Sequence, residues 1–434
     1  MKIYISMFGA LFSSLTMAAM PVYLPVGSSY TLSGVINPRA LSTSLSNPAA
    51  PYLMGSVSSG QNVRLGLLGP VGLSYELGEV GNLTDKVDDL ESLLNRTDYQ
   101  SQAEVNAAIA KANSIVSDVA STAYIKVAGS SQIPFMPFIY KTNTRGAFIV
   151  DASASFLGRA NVLADDIVAE QTGSSYKVKS KTSFYVKKAT DLRLGLGYSQ
   201  SVVRTSYGEL IGGVKANLHR ISLGRSLVVL ADENDDASKV FTDSLFSDQH
   251  ASSNVGIDVG AIWVSNHYQL GATVTNINQP KFDYADLGDC ANLSGSKLTS
   301  CNAAVVFSGK GKLDLSETYQ MKTQSTIDGA ITSRNRQWIL AGSYDLNSVK
   351  DPVGDKYRWA VASLSFFSDN LIAPGFRVGY RENLVGSQLK YVTGGLTFFR
   401  RLNLDVAVST GTTEYNGHSI PRSAYFSIGY DMAF

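Results

Sequence analysis

Beyond its first twenty residues the chain lacks any uninterrupted apolar stretch of the roughly 20 residues that a membrane-spanning helix needs, so any passage through a bilayer must be made by strands. It also lacks an excess of either charge. With 37 Lys and Arg against 36 Asp and Glu, the net charge of +1 offers neither the basic surface that nucleic acid demands nor the acidic bias of a disordered chain. Cysteine is scarce. Cys290 and Cys301 lie in one polar segment with none of the four histidines nearby to complete a zinc site, and in an exported chain such a pair is expected to close a loop as a disulfide. No Gly-x-Ser-x-Gly elbow, phosphate-cradling glycine loop, His-Glu-x-x-His helix or CxxC pair occurs, and neither enzymatic activity nor a cofactor or metal is expected.

What is present begins with export. Lys2, the apolar run Ile3 to Leu15 and the small residues Ala18 and Ala19 form the pattern of a cleavable secretory signal, expected to span 1–19. Ser13, Ser14 and Thr16 interrupt the run too early for a membrane anchor.

The last segment then sets Ala424, Phe426, Ile428, Tyr430, Met432 and Phe434 against Tyr425, Ser427, Gly429, Asp431 and Ala433. Successive side chains of a strand point to opposite faces, so one face suits lipid and the other is mostly small or polar. Phe426, Ile428, Tyr430, Met432 and Phe434 are accordingly expected to act as the assembly signal of an outer-membrane barrel, read by the barrel assembly machinery. Leu402, Leu404, Val406 and Val408 repeat the pattern against Asn403, Asp405, Ala407 and Ser409. Arg377 and Arg381, opposite Phe376, Val378 and Tyr380, suggest a wet lumen.

Alternating segments fall at 146–157, 175–188, 191–204, 207–222, 254–265, 267–277, 315–332, 336–347, 356–367, 374–383, 388–399, 402–411 and 422–434. Bacterial single-chain barrels have an even number of strands, so 63–78 is added, giving about fourteen. The expected fold is all-β: a transmembrane barrel over 63–434, preceded by a plug-like segment at 20–62. Tight links at 205–206, 265–266, 333–335 and 400–401 fall on one side, periplasmic if the last strand descends, and long excursions at 79–145, 223–253 and 278–314 fall on the other. A helix-like stretch, 160–170, sits awkwardly where this scheme requires a periplasmic connection.

Between Asn82 and Ala123 the period changes to about 3.6. Leu83, Val87, Leu90 and Leu94 form one helical face, and Val105, Ile109, Ala112, Ile115, Val116 and Val119 another, predicting a helical hairpin at about 82–123 that either caps the pore or is a structural insertion. His219 with Asp232, Glu233, Asp235 and Asp236 reads as a rim catalytic group, a weak divalent-cation site, or an ordinary histidine beside a solvated acidic loop. Lys177, Lys179, Lys181 and Lys187 form either a basic stripe that attracts anions or half of an ion-pair ladder with carboxylates such as Asp151 or Asp191.

Asn47-Pro48-Ala49-Ala50, the helical insertion opening at Gly81-Asn82-Leu83, Val255-Gly256-Ile257-Asp258-Val259-Gly260 and Gly271-Ala272-Thr273-Val274-Thr275-Asn276 resemble the outer-membrane TraF family of conjugal transfer, itself similar to the FadL long-chain fatty-acid transporters. The resemblance implies a fourteen-strand barrel with an amino-terminal plug in the outer membrane of a Gram-negative bacterium. It implies either uptake of hydrophobic small molecules, with sideways exit through a strand kink, or an envelope scaffold of conjugation without transport. A general diffusion porin ranks third. The expected partners are outer-membrane lipid, the assembly machinery and a hydrophobic ligand or detergent. Phe135, Met136 and Phe138, in the run Pro134 to Phe138, are the candidate apolar capture patch, or else a hydrophobic turn against the helical hairpin.

Overall fold

The computed structural model describes residues 27–433 apart from 33, 56–60, 97, 144–145, 174, 231–248 and 416. The expected signal segment, residue Phe434 and the acidic run from Asp232 to Asp236 lie outside the described residues. Fifteen strand segments form one closed antiparallel sheet, and two of them are a single interrupted strand, which gives a fourteen-strand barrel. The strands are β1 (Val63–Leu77), β2 (Tyr124–Gln132, resuming at Phe138–Lys141), β3 (Gly146–Leu163), β4 (Ser183–Arg204), β5 (Glu209–Val229), β6 (Gln249–Val264) and β7 (Tyr268–Thr275). They continue as β8 (Gln324–Thr332), β9 (Trp338–Asp345), β10 (Trp359–Phe366), β11 (Gly375–Asn383), β12 (Lys390–Phe398), β13 (Leu402–Ser409) and β14 (Ser423–Ala433). Pairing of β1 with β14, from Arg64↔Ala433 to Glu76↔Ser423, closes the ring and removes every edge.

The alternation sorts the side chains as a membrane requires. Leu192, Leu194 and Leu196 of β4 are exposed on the outside, as are Leu340, Val378, Val392, Val406 and Phe426 elsewhere on the ring. Asp191, Arg193 and Gly195, or Arg377 and Arg381, point inward. An exposed band of Leu, Val and Phe would be an aggregation surface in water and is the expected contact with hydrocarbon. Short links at 205–208, 265–267, 333–337 and 399–401 lie at one rim, and the long excursions at the other.

The strand count agrees with the sequence reading only because two differences cancel. Residues 191–204 and the end of 175–188, from Ser183 on, are one continuous 22-residue strand, β4, while 175–179 belongs to a small hairpin, Val168–Thr172 with Ser175–Lys179. The lost strand is restored by β2, which lies inside the stretch read as an outer excursion, 79–145. Residues 160–170 are not helical: β3 runs through Leu163, and the chain then enters the small hairpin at the long-loop rim, which removes the awkward periplasmic connection. The stretch 315–332 breaks at 321–323, so only Gln324–Thr332 belongs to the barrel.

Strands β3 to β6 rise above their neighbours as a high wall, and both of its faces are covered there. On the outer face lie helices α1 (Leu83–Asn95) and α2 (Gln102–Thr122). Leu90, Val105, Ala112 and Val119 are wholly buried against Val162 and Phe184, which pair across β3 and β4, and against Val178 of the small hairpin. Burial of each large side chain contributes roughly 1.5–3 kcal/mol, so packing rather than helix propensity holds this lobe. Ser101 caps α2 by accepting the Glu104 backbone N–H, 3.2 Å, while the Glu104 carboxylate takes the Gln100 N–H. On the inner face sits α3 (Gly295–Gly309), not anticipated from sequence, whose Ala303, Ala304 and Phe307 bury Tyr185, Leu227 and Val229. Cys301 on α3 is joined to Cys290 by a disulfide.

Candidate functional site

The lumen is filled by residues 27–55. Their small residues allow the chain to run close to the wall, and three short helical turns, Ser29–Leu32, Leu41–Leu45 and Pro51–Met54, compact it. Asn47 donates to the carbonyls of Ala261 and Ala272, and its own side chain accepts the Ala49 N–H. Gly213 and Gly260 face this turn because a Cβ at either would overlap the backbone of Pro48 or the Asn47 side chain. The Asn-Pro-Ala-Ala motif is therefore a docking element of the plug on the wall.

A second anchor is electrostatic. Arg377 makes a bidentate pair with Asp405, 3.0 Å to each oxygen, and Asp405 also accepts from Ser28, 3.0 Å, and Thr31, 2.9 Å, of the plug. Arg381 lies between the rings of Tyr30 and Trp359, 3.9 and 4.0 Å from their centroids, and donates to the Tyr30 carbonyl. Both arginines are only 1% exposed, so rather than facing an open lumen they are largely covered by the plug and the wall. Tyr30 also stacks on Tyr425, and with Tyr357, Trp359, Leu389 and Tyr391 it forms an apolar column in the lumen.

Across the mouth, the loop after β9 reaches the opposite wall. Lys126 of β2 binds Asp351, 2.6 Å, and Asp355, 2.8 Å, and Arg159 of β3 also pairs with Asp355. Phe282, Tyr284, Tyr319 and Met321 of the disulfide-bearing excursion cover Ala189, Ile221 and Leu223 of the inner wall.

The wall itself has a break. Gln132 pairs with Ser153 and Phe138 with Val150, so residues 133–137, five in all, stand opposite two, Asp151 and Ala152. In its pairing with β14, on its other side, β1 shifts register between Gly66 and Leu68 and again between Leu68 and Val71. The β1–β2 ladder consequently lapses between Leu65↔Phe138 and Val71↔Ser131. Gly66 and Gly69 are required here, because a Cβ on either would collide with the Met136 carbonyl. Phe135, with φ of 70°, is exposed, as is Ile133; Met136 and Phe138 are partly covered. The candidate capture patch thus lies in the barrel wall, not in a loop at the mouth as its place in the 79–145 excursion suggested.

On the other side of the plug is a cavity of about 150 Å³, lined among others by Lys215, Asp258, Thr273, Asp328, Ser343 and Arg381. His219, read as a rim group, is buried in the lumen with Nδ1 2.8 Å from Asp191 and its ring edge-on to Phe282. The lysines make ion pairs, though not with the carboxylates anticipated: Lys177 and Lys179 meet Glu170, and Lys187 meets Glu317. Asp151 instead binds Arg193 and Lys215. The pairings of Lys187 and Asp151 lie between chain segments far apart in sequence, whereas those of Lys177 and Lys179 cross one small hairpin.

A closed ring with an apolar exterior, its lumen occupied by its own amino-terminal segment, defines a plugged transmembrane β-barrel. The profile of the family described as "F plasmid transfer operon, TraF, protein" matches residues 44–345, and the chain belongs to that family. The fold is also similar to a FadL homologue of Pseudomonas aeruginosa, with 11% identity, TM-score 0.46 and 96% and 100% of the two chains covered. It is similar to the toluene transporter TbuX of Ralstonia pickettii, with 13% identity, TM-score 0.42 and 96% and 99% covered, and to the toluene transporter TodX of Pseudomonas putida, with 11% identity, TM-score 0.40 and 96% and 97% covered. No curated protein matches the chain.

Proposed function

We propose that this is an outer-membrane channel for hydrophobic small molecules, in which the solute enters at the long-loop rim and leaves sideways through the wall at residues 133–137. The observation that carries this reading is the paired irregularity of β1 and β2, where the ladder lapses beside exposed Ile133 and Phe135. A lapse of this kind in an otherwise continuous hydrogen-bonded ring sacrifices regular ladder pairing and leaves a place where the wall can part more readily than elsewhere. The buried aromatic cluster from Leu389 and Tyr357 to Tyr30 is an apolar region that would accommodate such a solute when its side chains part. The charged cavity that Trp359 also borders would be unfavourable for it, since an apolar solute offers no polar partner to Lys215, Asp258 and Arg381. The wall break lies on the other side of the plug, beside Gly66, Leu68 and Pro70.

The test follows from the register. Deleting Pro134, Phe135 and Met136 leaves two residues opposite two and lets β2 run unbroken. Cells expressing the intact chain should take up labelled toluene faster than cells without it, and the deletion should return uptake to background while the barrel still migrates as folded. Equal uptake through the deletion variant would overturn the lateral route.

A second reading, an envelope scaffold of conjugation that transports nothing, is favoured by the family's description and by the helical lobe that stands on the high wall. Loss of plasmid transfer on deletion of 83–122, together with toluene uptake no faster with the intact chain than without it, would select it.

A further inference from the structure

We propose that the polar cavity between the plug and the wall is a binding site for a small solute bearing an ammonium group, with Asp328 as its counter-ion. This goes beyond the transport reading and does not depend on it, because the cavity and the wall break lie on different sides of the plug.

Asp328 sits in a lateral row of the wall in which Gly271, Asp328, Ser343, Val361 and Arg381 are successive cross-strand partners. Gly271 gives the carboxylate room, since a Cβ there would overlap both of its oxygens. The residue is 7% exposed and lines the cavity, its Oδ1 has no hydrogen-bond partner, and among the described residues it forms no ion pair. Its neighbours differ. Asp258 accepts from Asn217, 2.6 Å, and from the Asn276 N–H, 2.8 Å, and Asp345 accepts from Gln324, Thr326 and the Trp359 N–H. Asp151 has two cations. A buried carboxylate that lacks the partners of Asp258, Asp345 and Asp151 is neutralised either by a proton or by a positive partner, and Asp328 faces a cavity that can hold such a partner.

The cavity limits what that partner is. Its volume of about 150 Å³ exceeds the roughly 30 Å³ share of one water molecule, so it admits a short organic cation. An ammonium carries three donors in a pyramid, and Asp328 with the hydroxyls of Thr273 and Ser343 supplies oxygen acceptors around one volume. Among the described residues no three His, Cys, Asp or Glu side chains converge as metal ligands, and one carboxylate matches one monovalent charge. Trp359, Val361 and Leu45 provide an apolar surface for the carbon chain.

The experiment uses the full chain purified in detergent, with ethylammonium chloride as probe and saturation-transfer NMR as readout, against 1-propanol as an uncharged alcohol with a slightly longer apolar chain and sodium chloride as competitor. Ethylammonium should bind at least tenfold more tightly than 1-propanol, sodium at equal concentration should not displace it, and Asp328→Asn should lose at least tenfold in affinity while keeping the heat-dependent gel shift of a folded barrel. Binding no tighter than that of 1-propanol, displacement by sodium, or full affinity in a folded D328N would each overturn the proposal. The first two comparisons use the unaltered protein, so they stand even if the variant does not fold.

Discussion

Strands β3 to β6 contain 16 to 22 residues, whereas β7 to β13 contain 8 or 9. At about 3.3 Å per residue and a tilt near 40°, the short strands rise on the order of 20 Å, close to the roughly 25 Å apolar band of such barrels. The long strands have about twice the length they need to cross. Their surplus is scaffold: above the membrane it is covered outside by α1 and α2 and inside by α3. The low wall has no surplus, and its extra contacts are all in the lumen, where Arg377, Arg381 and Asp405 grip the plug. The high wall is thus reinforced from above by hydrophobic packing as well as by the Asn47 docking turn in the lumen, and the low wall from within by buried charge.

The largest expected effect is on the low wall. Arg377→Ala leaves Asp405 buried beside Ser28 and Thr31 without its cation, and should cost about 3–5 kcal/mol in urea unfolding of the detergent-solubilised barrel. A change under about 1 kcal/mol would mean that the plug contact contributes little. Leu90→Ala, at a wholly buried position of the lobe, should cost about 2–5 kcal/mol there, seen as faster proteolysis within 83–122 with the barrel's gel shift intact. If barrel unfolding moves equally, high wall and lobe are one cooperative unit and the contrast fails.

Next comes the mouth. Replacing Cys290 and Cys301 by Ser opens a loop of about 12 residues, a constraint worth about 3 kcal/mol on the chain-entropy model, and should expose 291–300 to protease without altering β8 to β14. The smallest effect is a pH response at the foot of α3, outside the membrane. Lys310 binds Asp165, 2.6 Å, and Asp166, 2.7 Å. These hydrogen bonds push the Lys310 ammonium up to about 12. Burial raises the Asp165 carboxyl, but the Lys310 bond and two backbone N–H groups outweigh it and hold it below its ordinary 3.8. A depressed carboxyl stabilises the fold above its unfolded value and loses that contribution as pH falls through the folded one, while a raised ammonium loses its contribution only as pH climbs from 10.5 through 12. A nitroxide label at Gly309 should therefore be equally immobile from about pH 5 to pH 10 and loosen below about pH 3.5; loosening near neutrality would contradict the pairing.

The low wall was legible in the sequence because each of its strands meets lipid on one face and the lumen on the other, so apolar and polar residues alternate cleanly, as in Leu402 to Ser409. The high wall was misread where that condition ends. From Phe184 to Thr190 both faces are covered by protein, the alternation lapses, and one strand reads as two. Strand β2 was missed because Pro134 and Pro137 interrupt it with residues that have no ladder partner. Helix α3 carries no one-sided stripe, since it is wedged between the inner wall and its own excursion. Of the candidate site, Phe135 and its neighbours could be picked out as apolar, but their place in the wall depends on pairing with β1 and β3. The isolation of Asp328 is likewise a property of the assembled ring.

The central claim is a closed barrel whose lumen is blocked by its own amino-terminal segment. The most direct test runs heat-dependent gel migration and planar-bilayer conductance on one detergent-extracted sample. We expect the unheated protein to migrate as a compact species that shifts on boiling, with no steady conductance. Steady ohmic conductance from protein that shows the shift would mean an open pore, and the plugged lumen described here would be wrong.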